Sequence, residues 1–473
     1  MALADIHARL SPFLQFVGMT RFDWPRPGLG TVGQDLAMHR LGEGQDGVGW
    51  GQPPYQPGRQ QDGRPVRRPG TLGQERHREQ KQEQSVKARA GAAALLAGIC
   101  AVAVSGIFPA AATERASAPP PVGLKEAIAQ TVADGFPGAV AYARRGDRES
   151  RMAAGLADTA SGERARPHQR FRIASNTKSF VSTVLLQLEG EGRLSLDDSV
   201  EKWLPGVVRG NGNAGRAITI RQLLNHTSGI YDPTTEPEFF APYLERHEWD
   251  HVQTPREVIA RAVRHKPLFA PGGGWSYSNT NYLLAGLVIE AVTRHSAPSE
   301  IHRRILAPLG LKATSFPLTD PAIHGPHLHG YDLTGRDVTR FSPSYDWTAG
   351  AMISTVDDLA RFHRALFTGK LLRPAQQREL LTTVQFPGAP AYGLGVQRMD
   401  VPCGSEPDNR PISVWETDGG GPGFTSVSLT TADGERQLVL AINVYDLAAD
   451  LKGEPPVPRS KGLMKAQMAV LCD

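Results

Sequence analysis

The 473-residue chain has little net charge and shows no metal-ligand pattern. Its 52 basic and 48 acidic residues leave a formal net charge of +4, and no basic stripe with interleaved aromatic residues is present, which argues against a nucleic-acid-binding protein. His324, His327 and His329 lie close together, but no cysteine or paired carboxylate accompanies them, so we expect them to be exposed or packed rather than bound to a metal. We also find no internal repeat.

The N-terminal part of the chain lacks the apolar periodicity of a folded domain. Residues 1–85 are rich in Gly, Pro, Gln and Arg, a composition that buries too little surface to offset its ordering entropy. An apolar run at 91–108 follows Lys87 and Arg89 and precedes three alanines. This pattern is typical of a secretory signal peptide, placed at 86–112, although a single membrane anchor is an alternative. We therefore predict a secreted protein whose first 85 residues are disordered or a mis-assigned extension.

The rest of the chain is predicted to form a linker at 113–122 and one large domain at 123–473. The predicted terminal elements are strands at 137–143, 151–153, 426–430 and 437–444 and helices at 124–133 and 462–471. The middle of the domain is mostly helical in pattern. We predict an α+β sandwich, with an antiparallel sheet built from both chain ends, flanking terminal helices and a mostly helical inserted subdomain. Cys403 and Cys472, which remain after the signal peptide, are expected either to pair or to stay as thiols.

A serine–lysine pair begins one of the predicted helices. The tetrapeptide Ser175-Asn176-Thr177-Lys178 follows a strand-like run at 171–174, and a spacing of three places Ser175 and Lys178 on one helix face. A serine hydroxyl becomes nucleophilic when a neighbouring base takes its proton, and a lysine can be that base when burial or nearby charge lowers its pKa. By itself, the pattern also fits a helix-capping serine beside a surface lysine.

Two further elements accompany this pair. Tyr277-Ser278-Asn279 follows a glycine-rich turn at 271–276 and leads into an apolar helix, so the tyrosine should sit on a rigid loop. The segment 417–424 (Thr-Asp-Gly-Gly-Gly-Pro-Gly-Phe) precedes the C-terminal strands. Its glycines would let a substrate backbone approach the edge of the sheet.

These three elements, with the segment 218–229 (Ile-Thr-Ile-Arg-Gln-Leu-Leu-Asn-His-Thr-Ser-Gly) between the first two, resemble the serine penicillin-binding protein and β-lactamase family. The resemblance is to the branch of class C β-lactamases and D-alanyl-D-alanine carboxypeptidases, and it covers about residues 123–471. It implies a β-lactamase/transpeptidase-like fold. It also implies that Ser175 forms an acyl-enzyme while Lys178 and Tyr277 transfer protons, with no metal or organic cofactor. Which of the two is the principal base stays open, and His226 is expected to be structural.

The resemblance also implies a substrate-binding set. Asn279 would hydrogen-bond the substrate amide and the lysine, and the backbone N–H groups of Ser175 and Gly420 would form the oxyanion hole. Thr417 and Gly419 would border the substrate. Thr417 departs from the family, because a Lys or His usually occupies this position and helps to hold a substrate carboxylate.

The acids that flank Thr417 bear on the substrate. Glu416 and Asp418 would disfavour a substrate carboxylate by about 1–3 kcal/mol unless another cation compensates. The sequence most favours an exported D-alanyl-D-alanine carboxypeptidase acting on peptidoglycan-type peptides. An esterase or D-amino-acid amidase whose substrate lacks a free carboxylate, a β-lactamase, and a non-catalytic penicillin-binding sensor are the alternatives. A monomer is the default expectation.

Overall fold

The computed structural model describes residues 121–403 and 410–472. The expected extension at 1–85, the signal peptide at 86–112 and the linker up to residue 120 lie outside the described residues. Within the described ranges, no helix combines the length and the apolar character needed to cross a membrane.

The domain contains one large sheet, two small strand pairs and many helices. The strands are β1 (Gly138–Arg145), β2 (Arg148–Asp158), β3 (Glu163–Arg164), β4 (Phe171–Arg172), β5 (Arg209–Gly210), β6 (Asn213–Ala214), β7 (Ile353–Ser354), β8 (Ala391–Tyr392), β9 (Gln397–Val401), β10 (Ile412–Gly421), β11 (Phe424–Thr430) and β12 (Arg436–Ile442). The α-helices are α1 (Leu124–Ala133), α2 (Thr177–Gly190), α3 (Val200–Trp203), α4 (Ile220–Leu224), α5 (Pro237–Leu244), α6 (Pro255–Ala262), α7 (Asn279–Thr293), α8 (Ala297–Ile301), α9 (Ala307–Leu309), α10 (Trp347–Gly350), α11 (Val356–Phe367), α12 (Pro374–Leu381), α13 (Leu447–Leu451) and α14 (Lys461–Leu471). Short 3₁₀ turns lie at Ala174–Asn176, Gly215–Ala217, Pro233–Thr235 and Pro343–Tyr345, and a π-helical turn lies at His302–Leu306.

The large sheet joins the two ends of the domain, as the sequence predicted. Its 8 strands have the order β3-β2-β1-β12-β11-β10-β9-β8, and the N-terminal and C-terminal strands meet where β1 pairs antiparallel with β12. The β11–β12 hairpin turns at Gly434, which adopts a positive φ of 69°. The carboxylate of Asp433 accepts a hydrogen bond from the backbone N–H of Glu435 in the same turn. Glycine fits this position because it lacks the Cβ that disfavours positive φ.

Each face of the sheet is covered by helices, which confirms the predicted sandwich. Alternate strand residues point to opposite faces. Ala141 packs with the terminal helices α1 and α14. The neighbouring Val140 belongs to the core shared with α2 and α11. Burial of both sheet faces therefore fixes the register of the strands.

The inserted helices surround α7, which is buried along most of its length. Helices α2, α4, α6 and α10 pack against it. Local capping explains where two of the helices begin. Thr254 and Glu257 form a capping box at the start of α6, and the side chain of Thr355 accepts a hydrogen bond from the backbone N–H of Asp358 at the start of α11.

A disulfide bond joins Cys403 and Cys472. It links the segment after β9 to the end of α14. The structure therefore contains the bonded pair, one of the two alternatives expected for these cysteines. The bond ties the C-terminal helix to the sheet beside the end of β9.

Candidate active site

The hydroxyl of Ser175 lies between a lysine and a tyrosine. Ser175 is in the middle of the 3₁₀ turn that leads into α2. Its Oγ accepts hydrogen bonds from Lys178 Nζ at 2.9 Å and from Tyr277 OH at 2.8 Å. No side-chain capping bond is present at the start of this turn or of α2. The serine is therefore placed for proton exchange rather than for helix capping.

Lys178 is almost completely buried, at 1% exposure. Besides the bond to Ser175, its Nζ donates to Asn279 Oδ1 at 2.8 Å and to the backbone carbonyl of Ala349 at 2.9 Å. All three N–H groups of the ammonium form therefore have acceptors. These bonds fix the side chain in one position beside the serine oxygen.

Burial sets the protonation of Lys178. Desolvation lowers its pKa from 10.5 to about 8, and the carboxylates of Asp346, Asp232 and Asp418 act in the opposite direction. A lysine with this pKa is neutral often enough near neutral pH to accept a proton.

Tyr277 differs from Lys178 in its acidity. Burial raises the pKa of its phenol well above the ordinary value of 10, so it is protonated across the physiological range. The Nζ of Lys178 lies 4.8 Å from the centroid of the Tyr277 ring. The pair thus presents a base with a lowered pKa and a protonated phenol to the same serine oxygen.

His226 supports Tyr277 and does not contact Ser175. Its buried ring lies 4.3 Å from the Tyr277 ring between centroids, and its Nδ1 accepts a hydrogen bond from the backbone N–H of Ser278. Burial and the charge of Lys178 lower the pKa of His226 well below 6.5. The neutral imidazole therefore holds the loop that carries the tyrosine.

Asn279 connects the lysine to a loop that the sequence patterns did not single out. Its Nδ2 donates to Thr234 Oγ1 at 3.1 Å, and its backbone N–H donates to Asp232 Oδ2 at 2.8 Å. Asp232 is buried and also accepts from the backbone N–H and the hydroxyl of Thr234. The only sequence signal for this contact was a short Asp-Pro-Thr-Thr turn, which marks a loop but no particular partner.

Strand β10 lies directly against the serine turn because Gly419 has no side chain. A Cβ on Gly419 would lie 2.1 Å from the carbonyl oxygen of Ile173. The next residue, Gly420, is close to the ring of Tyr445, where a Cβ would lie 2.3 Å from a ring carbon. The oxyanion-hole role of Gly420 stays a prediction.

The hydroxyl of Thr417 belongs to a buried network. It donates to Asn176 Oδ1 at 2.5 Å and lies 3.1 Å from His363 Nε2. The ring of His363 also contacts Ser179 Oγ at 3.2 Å and, through Nδ1, Ser428 Oγ at 2.8 Å. Burial lowers the pKa of His363 to about 3, so the imidazole is neutral. Thr417 thus helps to join β10, α2 and α11, whereas a Lys or His at this position would bring a cation to the cavity.

The site opens into a cavity of about 440 Å³ in which acids outnumber bases. The acidic residues that line it are Asp232, Asp346, Glu416, Asp418 and Asp450, and the lysines are Lys178 and Lys452. Its apolar walls include Phe240, Trp275, Tyr345, Tyr392, Tyr445 and Leu447. Among the described residues, no group of His, Cys, Asp and Glu has a geometry that could hold a metal ion.

Comparison with known proteins agrees with this geometry. The beta-lactamase family profile matches residues 124–456. The protein therefore belongs to the beta-lactamase family.

Individual relatives share much of the domain. The crystal structure of a D-stereospecific amidohydrolase from Streptomyces sp. is similar with a TM-score of 0.63 and 43% identity, covering 69% of this chain and 94% of that chain. Penicillin-binding protein 4* of Bacillus subtilis (strain 168) is 27% identical over 328 residues, which are 65% of this chain and 68% of the relative. Protein flp of Staphylococcus aureus (strain MW2) is 36% identical over 166 residues, 35% of this chain and 32% of flp. The match thus spans about a third of the staphylococcal relative.

Proposed function

We propose that this protein is an exported serine amidase or esterase that acts on D-amino-acid derivatives without a free carboxylate. The observation that most directly supports this proposal lies in the segment 417–424. There Thr417 occupies the position of the usual Lys or His, and its hydroxyl donates a hydrogen bond to Asn176. The cavity wall beside it carries Glu416 and Asp418. Since like charges repel, this wall opposes a substrate carboxylate. The 43% identity to a D-stereospecific amidohydrolase supports action on amides of D configuration.

The proposed reaction uses the hydrogen bonds around Ser175. Neutral Lys178 takes the proton of Ser175 as Oγ attacks the substrate carbonyl carbon and the carbonyl electrons move to its oxygen. As the tetrahedral adduct collapses, the phenol of Tyr277 delivers a proton to the departing amine or alcohol and is reprotonated by Lys178. Water then attacks the ester carbonyl on Ser175 and gives one proton to the same groups, which return a proton to Oγ as the acyl–Oγ bond breaks. The acid product is released and Ser175 is regenerated.

A D-alanyl-D-alanine carboxypeptidase is the second candidate, and Lys452 favours it. This lysine follows α13 and lines the same cavity as Ser175. A cation there could bind a substrate carboxylate in place of the missing one at position 417. The two candidates therefore differ in the charge that the substrate carries beyond the scissile bond.

The experiment compares two substrates on the protein expressed from residue 113 onward. One is the amide of a D-amino acid, followed by release of ammonia, with its L-enantiomer as stereochemical control. The other is an N-acylated D-alanyl-D-alanine peptide, followed by release of D-alanine. Fluorescent fluorophosphonate and fluorescent penicillin report acylation of Ser175, and Ser175→Ala is the control for both. Turnover of the D-amide with little release of D-alanine supports the amidase. Release of D-alanine with little turnover of the D-amide supports the carboxypeptidase. Absence of labelling by both probes would exclude a catalytic serine.

The export part of the proposal needs its own test. A disulfide between Cys403 and Cys472 suits an oxidising compartment. N-terminal sequencing of the protein from the culture medium should begin near residue 113. Retention of residues 1–85 in the cell fraction would contradict export through the predicted signal.

A further inference from the structure

The feature that the proposed mechanism leaves unused is an acid pair on β10. Glu416 and Asp418 are two residues apart on one strand, so their side chains leave the same face. Thr417 between them points to the opposite face, toward Asn176. Both acids border the cavity that contains Ser175.

Glu416 is a buried carboxyl group with an incomplete set of partners. Its side chain is 0% exposed, and its Oε2 accepts a hydrogen bond from Gln397 Nε2 at 2.8 Å. Its Oε1 has no hydrogen-bond partner within the part of the chain that the structure describes. A buried polar atom without a partner is costly, and a ligand that supplies a donor removes that cost.

The negative charge of the pair lies close to the reacting groups. Burial and the adjacent Asp418 raise the pKa of Glu416 well above its ordinary value, which favours the neutral form of this carboxyl group. The carboxylate of Asp418 acts electrostatically on both Lys178 and Tyr277. A group held by this pair would therefore lie in the cavity of Ser175, within electrostatic reach of Lys178 and Tyr277.

We propose that Glu416 and Asp418 form a subsite for the α-ammonium group of the substrate, so that the enzyme selects D-amino-acid amides, esters or peptides with a free amino group. The inference rests on the proposed amidase or esterase function. One ammonium carries three N–H donors and one positive charge. It would offer a donor to Glu416 Oε1 and a positive charge to Asp418. In an α-amino acid, the ammonium is one carbon away from the scissile carbonyl, which agrees with a subsite in the same cavity as the serine.

The test uses three esters with the same leaving group and side chain: the D-amino-acid ester with a free α-amino group, its N-acetylated form, and the achiral ester with hydrogen in place of the amino group. The readout is the ratio of kcat/KM for the free-amine ester to that for the des-amino ester. This ratio cancels losses of folded protein and those changes in Lys178 that are common to both substrates, because both substrates use the same acylation step. Asp418→Asn and Glu416→Gln remove the proposed partners. Asp450→Asn, which removes another acid from the same cavity, is the matched control.

We expect wild type to prefer the free-amine ester over the N-acetylated one, and Asp418→Asn to lower the ratio by about 10- to 100-fold, the value of a charged hydrogen bond. Glu416→Gln should lower the ratio less, because its amide keeps one acceptor, and Asp450→Asn should leave it within about threefold. An unchanged ratio in Asp418→Asn, or a wild-type preference for the N-acetylated ester, overturns the subsite while the hydrolase stands. If the protein hydrolyses none of the three esters, the proposed function itself is contradicted.

Discussion

The protonation of Lys178 determines how fast the proposed enzyme works at neutral pH. With a pKa of about 8, about one lysine in eleven is neutral at pH 7, against roughly one in 3,000 at the ordinary value of 10.5. The lowered pKa thus raises the fraction of neutral Lys178 at pH 7 about 300-fold. If neutral Lys178 is the base, kcat/KM should rise about tenfold per pH unit on the acid side and level off above pH 8.

The substitution Asp346→Asn tests the electrostatic contribution of one carboxylate to the pKa of Lys178. Asp346 lines the cavity, and burial raises its pKa to about 6 while the charge of Lys178 opposes the rise. Above pH 6 it is therefore ionised and stabilises the ammonium form of Lys178. Removing its charge should lower the pKa of Lys178 further and move the acid limb of the kcat/KM profile to lower pH. The ratio of the rate at pH 7 to the plateau rate should increase.

The assay is kcat/KM from pH 5.5 to 9.5 with an ester that has no ionisable group, so that only the enzyme titrates. Lys178→Gln should remove the limb and lower the plateau by about 10²- to 10⁴-fold. Asp450→Asn, which changes a cavity acid that is hydrogen-bonded to the hydroxyl of Tyr445, should leave the limb in place. A limb that moves to higher pH in Asp346→Asn, or a wild-type profile that is flat between pH 6 and 8, would refute the assignment of Lys178 as the base.

Three further predictions concern packing and stability. Gly419→Ala should slow labelling by fluorophosphonate at least about 100-fold and cost about 1–3 kcal/mol of unfolding free energy, because its Cβ would lie 2.1 Å from a backbone oxygen. Gly421→Ala, whose Cβ would meet a methyl group at 3.5 Å, should keep both. His363 has a folded pKa of about 3, so below its unfolded value of about 6.5 only the unfolded chain gains the proton, and stability falls by about 1.4 kcal/mol per pH unit. Denaturant titrations should show a loss between pH 7 and pH 5 that is about 2 kcal/mol smaller in His363→Gln than in wild type. Replacing both Cys403 and Cys472 by serine opens a sequence separation of 69 residues and should lower the unfolding free energy by up to about 4 kcal/mol in guanidinium titrations.

Each of these three predictions would be contradicted by a specific result. Equal labelling of the two glycine variants would show that β10 can move away from the serine turn. Parallel stability curves for His363→Gln and wild type would mean that the imidazole is not neutral when folded. An unchanged guanidinium midpoint after the cysteine replacement would mean that the disulfide does not restrict the unfolded chain.

The sequence predicted those parts of the site that are contiguous. Ser175 and Lys178 are three residues apart, so one turn of helix is enough to bring them to 2.9 Å. The terminal strands were also predictable, since each carries its own alternating pattern and its turn residues. Such features depend on local geometry, which the residue order fixes directly.

The rest of the site depends on contacts between distant segments. Asp232 and Asp346 both act on Lys178, yet they come from loops before α5 and before α10 that carry no motif. The partners of Thr417 are equally distant, since Asn176 and His363 lie on other elements. A single sequence contains no signal for such pairings, because tertiary packing alone brings these loops together.

The position of the acids links substrate choice to catalysis. The charge of Asp418 raises the pKa of Lys178 and therefore makes the free enzyme a weaker source of base. A substrate ammonium bound between Glu416 and Asp418 would neutralise that charge and remove its effect on Lys178. The substrate would thereby lower the pKa of the base that activates Ser175, whereas a substrate carboxylate would add a further negative charge and raise it. On the proposed subsite, a free-amine substrate would gain both in binding and in the fraction of neutral lysine, and the acid pair would determine rate as well as affinity.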